Sequence, residues 1–230
     1  MMPLIFSCEH ATCAVPDAHR EAVQGMVDRI TSAEGWDLGA LNLAQGFSMK
    51  FRTPLVQTEY SRLLIDCHCL PDDPARWSEI APKFTTLQRE RLQEKHLVSH
   101  ALTLRQRVTS ELERNDAVVH ISVHTFDPTI FPDVDVSVLF SEGKVGESTV
   151  GLAWLANIKE LAPELRVKGN GKFYPDRSKT VIDGLREEFG SLKYIGLELQ
   201  VNHQLFLAPK LMKWDKLKIL LQESLLRAVL

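Results

Sequence analysis

Residues 117–126 read AVVHISVHTF, and the fold turns on how this run is read. It is short, rich in β-branched residues and bounded by turn formers, so it predicts a strand. Side chains two positions apart share a face of a strand, which places His120, Ser122 and His124 together on one side. Only His124 stands near the carboxyl end, where a ligand could be reached.

Similar runs recur along the chain: LIFS at 4–7, PLVQTEY at 54–60, RLLIDC at 62–67, DVSVLFS at 135–141, ELRVK at 164–168 and KYIGLELQV at 193–201. Helical patterns lie between them, over 37–50, 85–113, 147–161 and 178–189. A last one over 209–229 repeats apolar residues at Leu211, Trp214, Leu217, Leu221, Leu225 and Ala228, spacings that make one apolar face. Strands alternating with helices predict an α/β fold, a mixed, mostly parallel sheet flanked by helices. No repeat or linker divides the chain, so residues 1–230 are expected to form a single domain. The Pro- and Asp-rich stretch 69–82 reads as a loop near the site.

A chain of 230 residues with 44% hydrophobic and 25% charged residues can build a sizeable core. Its net charge of −3 argues against a nucleic-acid partner held by bulk charge. The opening MMPLIFSCEH has no basic region and soon turns polar, and no apolar run approaches a membrane span. A cytoplasmic protein without a membrane partner is expected. The four cysteines form two close pairs, Cys8/Cys13 and Cys67/Cys69, with neither at the spacing of a zinc knuckle. Small buried thiols are the simpler expectation, with a four-thiolate zinc site as the alternative.

In open α/β sheets ligands bind beyond the carboxyl ends of the strands. Four such ends carry polar groups: Cys8, Glu9 and His10 after the first run, Asp66, Cys67 and His68 after RLLIDC, His124 to Asp127, and Glu198 with Asn202 and His203. Glu198 lies between Leu197 and Leu199, and a buried carboxylate needs either an ion-pair partner or a chemical role. Beside a metal-bound water it would make a general base.

Five segments, in order, resemble the N-formylglutamate amidohydrolase family. They are SCEHATCAVP (7–16), GWDLGALNLA (35–44), EYSRLLIDCHC (59–69), VHISVHTFDP (119–128) and YIGLELQVNHQL (194–205). The resemblance implies a phosphorylase/hydrolase-like fold similar to that of zinc carboxypeptidases and aspartoacylase-type deacylases. It implies one Zn2+ per chain, with His10, Asp37 and His124 as ligands and Glu9 as the rival carboxylate. It also implies hydrolysis of the amide bond of a small N-acyl, including N-formyl, amino acid. Glu198 would take a proton from the metal-bound water that acts as nucleophile. Arg62 would face the developing oxyanion or the substrate carboxylate, its structural alternative being a pair with Asp66 or Glu59.

The chain departs from the family pattern where Asn-Arg is replaced by His68-Cys69. A bidentate arginine clamp on a carboxylate has no thiol equivalent. His68, Tyr174 and Arg177, with Lys179, are the candidates for substrate contacts; the latter three belong to or follow the loosely matching GNGKFYPDR (169–177). Two alternatives stay open. One is a catalytically silent member of the fold that binds a metal or an acyl-amino acid; the other is a thiol enzyme using Cys8 or Cys67. The substrate's identity and the oligomeric state are not written in the sequence.

Overall fold

Two strands in which all nine residues are buried, Val118–Phe126 and Tyr194–Asn202, form the centre of the protein. The computed structural model describes residues 2–170, 179–208 and 211–230. In chain order the strands are β1 (Leu4–Cys8), β2 (Leu55–Gln57), β3 (Val118–Phe126), β4 (Val136–Leu139), β5 (Val167–Gly169) and β6 (Tyr194–Asn202). The helices are α1 (Val27–Thr31), α2 (Ala40–Phe51), α3 (Thr86–Leu92), α4 (Ser99–Leu112), α5 (Val145–Leu161), α6 (Val181–Phe189), α7 (Gln204–Leu207) and α8 (Leu211–Val229). The strands form one sheet in the order β2-β1-β3-β6-β4-β5. It is parallel throughout except where β4 runs antiparallel to β6. The expected mixed α/β architecture is what the chain adopts.

The two faces of this sheet differ in chemistry. On one, Leu4, Phe6 and Cys8 of β1, Val119, Ile121 and Val123 of β3, and Leu197 and Leu199 of β6 pack against α2, α5 and α8. On the other, an apolar lower half holds Ile5, Val118 and Tyr194 against Leu104 and Val108 of α4 and Ile182 of α6. Above it the register aligns Ser7 with Ser122 and Ser122 with Glu198, so a band of polar side chains crosses three strands at one height. Burial of these groups demands hydrogen-bond partners for each.

β1 has its sequence neighbour β2 on one side and β3 on the other. The connection after β1 runs to one side and the one after β2 crosses back to the other, so a crevice opens at the carboxyl ends of β1 and β3. Asp37 lies in the loop entering α2, its backbone N–H donating to His10 O at 3.0 Å. Gly39, next to it, has φ of 88°, and a Cβ there would lie 2.5 Å from a Phe206 ring carbon. Glycine is required on both counts.

One expected strand is absent and other elements differ in extent. RLLIDC forms no strand: Leu63, Leu64 and Ile65 turn into a separate small core with Ile30, Ile80, Phe84 and Leu97. Their backbone is satisfied by turns, with Leu64 N–H donating to Ser61 O and Asp66 N–H to Arg76 O, rather than by a strand edge. A run of apolar residues is equally at home in such a turn. PLVQTEY keeps only Leu55–Gln57 as strand. The helix expected over 85–113 is interrupted by a π turn at Gln93–Val98. Buried Leu92 and Leu97 are five apart, and the wider turn keeps both on one side. The helix expected over 178–189 runs from Val181 to Phe189, and that over 209–229 from Leu211 to Val229. Ser178 and Pro209 lie outside the described residues.

Replacing Gly39 by alanine should lower the unfolding free energy by about 2 kcal/mol, through left-handed strain and the Phe206 contact. Urea denaturation checks this; an unchanged midpoint would show that the loop carrying Asp37 is not held as described.

Candidate active site

His124, from the end of β3, occupies the middle of the crevice and is buried. Its Nδ1 lies 2.7 Å from Asp37 Oδ2, and its Nε2 lies 2.8 Å from Ser122 Oγ and 3.4 Å from Glu9 Oε2. Burial alone disfavours an imidazolium, but the hydrogen bonds and charges of Asp37 and Glu9 outweigh it and push His124 up to about 10. Each carboxylate is in turn held well below its usual range despite burial, Glu9 by His100 and His124, Asp37 by Arg62, His10 and His124. Glu9 also accepts the Ser122 hydroxyl and faces His100 Nε2 of α4 at 3.4 Å.

His10 joins this group from the turn after β1. Its Nδ1 is 3.4 Å from Asp37 Oδ2 and its Nε2 is 2.8 Å from Asp66 Oδ1. A carboxylate on one ring nitrogen fixes the ring and directs the other nitrogen inward. Arg62 Nη1 reaches both His10 Nδ1 at 2.9 Å and Asp37 Oδ1 at 3.0 Å. Its remaining donors go to the carbonyls of Ala33 and Glu34. The arginine thus locks the loop bearing Asp37 to the turn bearing Asp66; it pairs with Asp37, not with Asp66 or Glu59.

His68 comes from the same turn, anchored at both ends of its peptide: its N–H donates to Asp66 Oδ1 and its carbonyl accepts Val181 N–H from the start of α6. The imidazole stands 4.8 Å from that of His124, centre to centre, and its Nε2 lies 3.7 Å from Glu198 Oε1. Burial pushes it down to about 4, so it is neutral at neutral pH. Its Nδ1 is buried without a hydrogen-bond partner among the described residues, 4.0 Å from Glu9 Oε2.

Two sets of donor atoms could therefore hold a metal ion, each with its members within 4.8 Å of one another: His10, Asp37 and His124, and Glu9, His68 and His124. His124 belongs to both, through its Nδ1 and Nε2 respectively. No cysteine joins a donor set among the described residues. Cys8 packs in the main core and Cys67 in the smaller one, and burial pushes both thiols up, which opposes a four-thiolate site and a thiolate nucleophile alike. Glu198 lies on β6 opposite Ser122, at one wall of a cavity of about 520 Å³. Tyr174 and Arg177 lie outside the described residues.

His120 shares the face of His124 but is engaged elsewhere, by Ser7 Oγ at 2.8 Å and Tyr194 OH at 2.5 Å. His100 enters the site without being among the candidates, and Asp66, expected only as a strand-end group or a partner of Arg62, enters it on His10. His100 had a sequence signal, since it falls in the buried phase of Leu97, Leu104 and Val108. The signal for Asp66 was its place at the end of the run 62–67.

The N-formylglutamate amidohydrolase family model matches residues 2–200. The chain belongs to this family. A gene product of Agrobacterium tumefaciens shares the fold with a TM-score of 0.82 at 22% identity, the match covering 99% of this chain and 89% of that one. The N-formylglutamate amidohydrolase of Ralstonia eutropha JMP134 superposes with a TM-score of 0.69 at 16% identity, covering 98% of this chain and 92% of that one. No curated protein matches the chain.

Burial pushes His120 down to about 4, below the 6.5 of a free imidazole. As pH falls through this window the unfolded chain takes up a proton that the folded histidine refuses, so stability is full above the upper value and declines on acidification. Between about pH 7 and pH 4 the wild type should lose on the order of 3 kcal/mol more than His120→Phe. Equal losses in urea titrations would contradict this.

Proposed function

We propose that the protein is a zinc-dependent amidohydrolase that cleaves the amide bond of a small N-acyl amino acid. The observation that supports this most is the convergence of His10 Nδ1, Asp37 and His124 Nδ1 in one buried cluster, with Glu198 one strand away. The donor set suits the metal: two imidazoles and a carboxylate are the ordinary ligands of catalytic zinc, which keeps a further position open. Asp66 behind His10, and Glu9 with Ser122 behind His124, supply the outer carboxylates that hold such imidazoles in place. Zinc bound there would lower the pKa of water and polarise the scissile carbonyl.

The chain's own residues supply the rest. Glu198 takes the proton from the attacking water and delivers it to the leaving amine, so that the C–N bond breaks with a neutral departing group. Arg62, its donors taken by His10, Asp37 and the carbonyls of Ala33 and Glu34, acts through its charge, holding Asp37 in place and offsetting the charge that develops on the carbonyl oxygen. His68, neutral and close to Glu198, supplies a hydrogen-bonding edge in place of the cation that the family's Asn-Arg would bring. The substrate is therefore not held to be N-formylglutamate itself.

Glu198→Gln should lower kcat for the best N-acyl amino acid by about 10²–10⁴-fold while the variant retains its metal and fold. Amine release with a kcat equal to the wild type's would rule out Glu198 as the base.

A further inference from the structure

The cavity of about 520 Å³ beside Glu198 falls within the size range of small-molecule sites, roughly 300–1,000 Å³. Leu139 and Phe140, at the end of β4, give it an apolar wall, and Lys144, Lys179 and Arg186 line it together with the carboxylates of Asp183, Glu187 and Glu198. These three cations are not equivalent. Arg186 spends its donors inward: Nε and Nη2 on Glu147, Nη1 on Asp183, and Nη2 also on Gly196 O. It ties α5, α6 and β6 together beneath the cavity and has little left for a ligand. Lys179 Nζ is 2.6 Å from Glu187 in an exposed pair, which solvent and salt weaken. Lys144 stands where α5 begins, exposed, and makes no ion pair among the described residues.

A carboxylate brought into this cavity needs a cation, because a charge leaving water unpaired is costly. Glu198 delivers its proton to the leaving amine, so the portion of substrate lying along its cavity is the leaving one. We infer that Lys144 is the anion-recognition residue of this cavity, seconded by Lys179, and that it selects amides whose leaving portion carries a free carboxylate. This rests on the amidohydrolase reading for which end of the substrate faces Glu198. The charge selection itself does not. With Leu139 and Phe140 beside it, an apolar amino-acid side chain fits the same space.

The test compares N-formyl-L-leucine with its neutral counterpart N-formyl-L-leucinamide. Binding is measured by calorimetry to the wild type, Lys144→Ala, Lys144→Arg and Lys179→Ala; where the acid is turned over, the same comparison is read in KM with kcat unchanged. The wild type should favour the acid about tenfold at low salt, a preference that fades as salt rises. Lys144→Ala should bring acid and amide to within about twofold, Lys144→Arg should restore the preference, and Lys179→Ala should weaken it less. Affinity for the amide should stay constant throughout. A wild type without preference, or a preference that survives Lys144→Ala, overturns the assignment. Lys144-dependent preference without hydrolysis would leave it standing and remove the amidohydrolase reading; hydrolysis without preference would do the reverse.

Discussion

A histidine held between two buried carboxylates is the constraint around which the site is arranged. His124 needs Asp37 on one nitrogen and Glu9 with Ser122 on the other, and neither carboxylate is tolerable in a protein interior without its own further partners. Glu9 therefore draws in His100 from α4, and Asp37 draws in Arg62 from a turn 25 residues onward in the chain. Arg62 in turn stitches the loop before α2 to the turn that carries Asp66 and His68. One buried imidazole thus accounts for the arrangement of a helix, a loop and a turn that make no contribution to the sheet. His124, Asp37, Glu9, His100 and Arg62 each find partners, the condition under which buried polar groups specify a structure, and His68 Nδ1 at the edge of the group has none among the described residues.

The sheet supplies the platform because its two faces serve different ends. One face is apolar and binds α2, α5 and α8; the other yields its upper half to the polar band. The direction change at β1 places His10 and His124 at the crevice between β1 and β3, and β6 brings Glu198 level with Ser122, two residues below His124. The buried pair of Glu147 and Arg186 braces Gly196, two residues before Glu198, from the side of α5 and α6. Membership in the N-formylglutamate amidohydrolase family fits this frame, while His68-Cys69 marks where the chain departs from the pattern that the resemblance describes.

Much of this was legible in the residues, and the limits have physical causes. β3 and β6 were legible as β-rich runs bounded by turn formers, and strand ends with His or Glu pointed to His10, His124 and Glu198. The run 62–67 looks like a strand because Leu63, Leu64 and Ile65 satisfy a turn buried in a second core as well as they would a strand. Arg62's partner was not legible, since Asp37 meets it only through the loop fold. Asp66 and His100 act across 56 and 91 residues of sequence, on His10 and Glu9 respectively, and no local pattern records such contacts.

The proposed mechanism requires His10, Asp37 and His124 to form one metal site rather than a set of structural ion pairs. An anomalous difference map from crystals grown with zinc tests it most directly. A single strong peak bounded by His10 Nδ1, an Asp37 carboxylate oxygen and His124 Nδ1 is expected. A peak confined to Glu9, His68 and His124 Nε2, or none in the crevice, would contradict it.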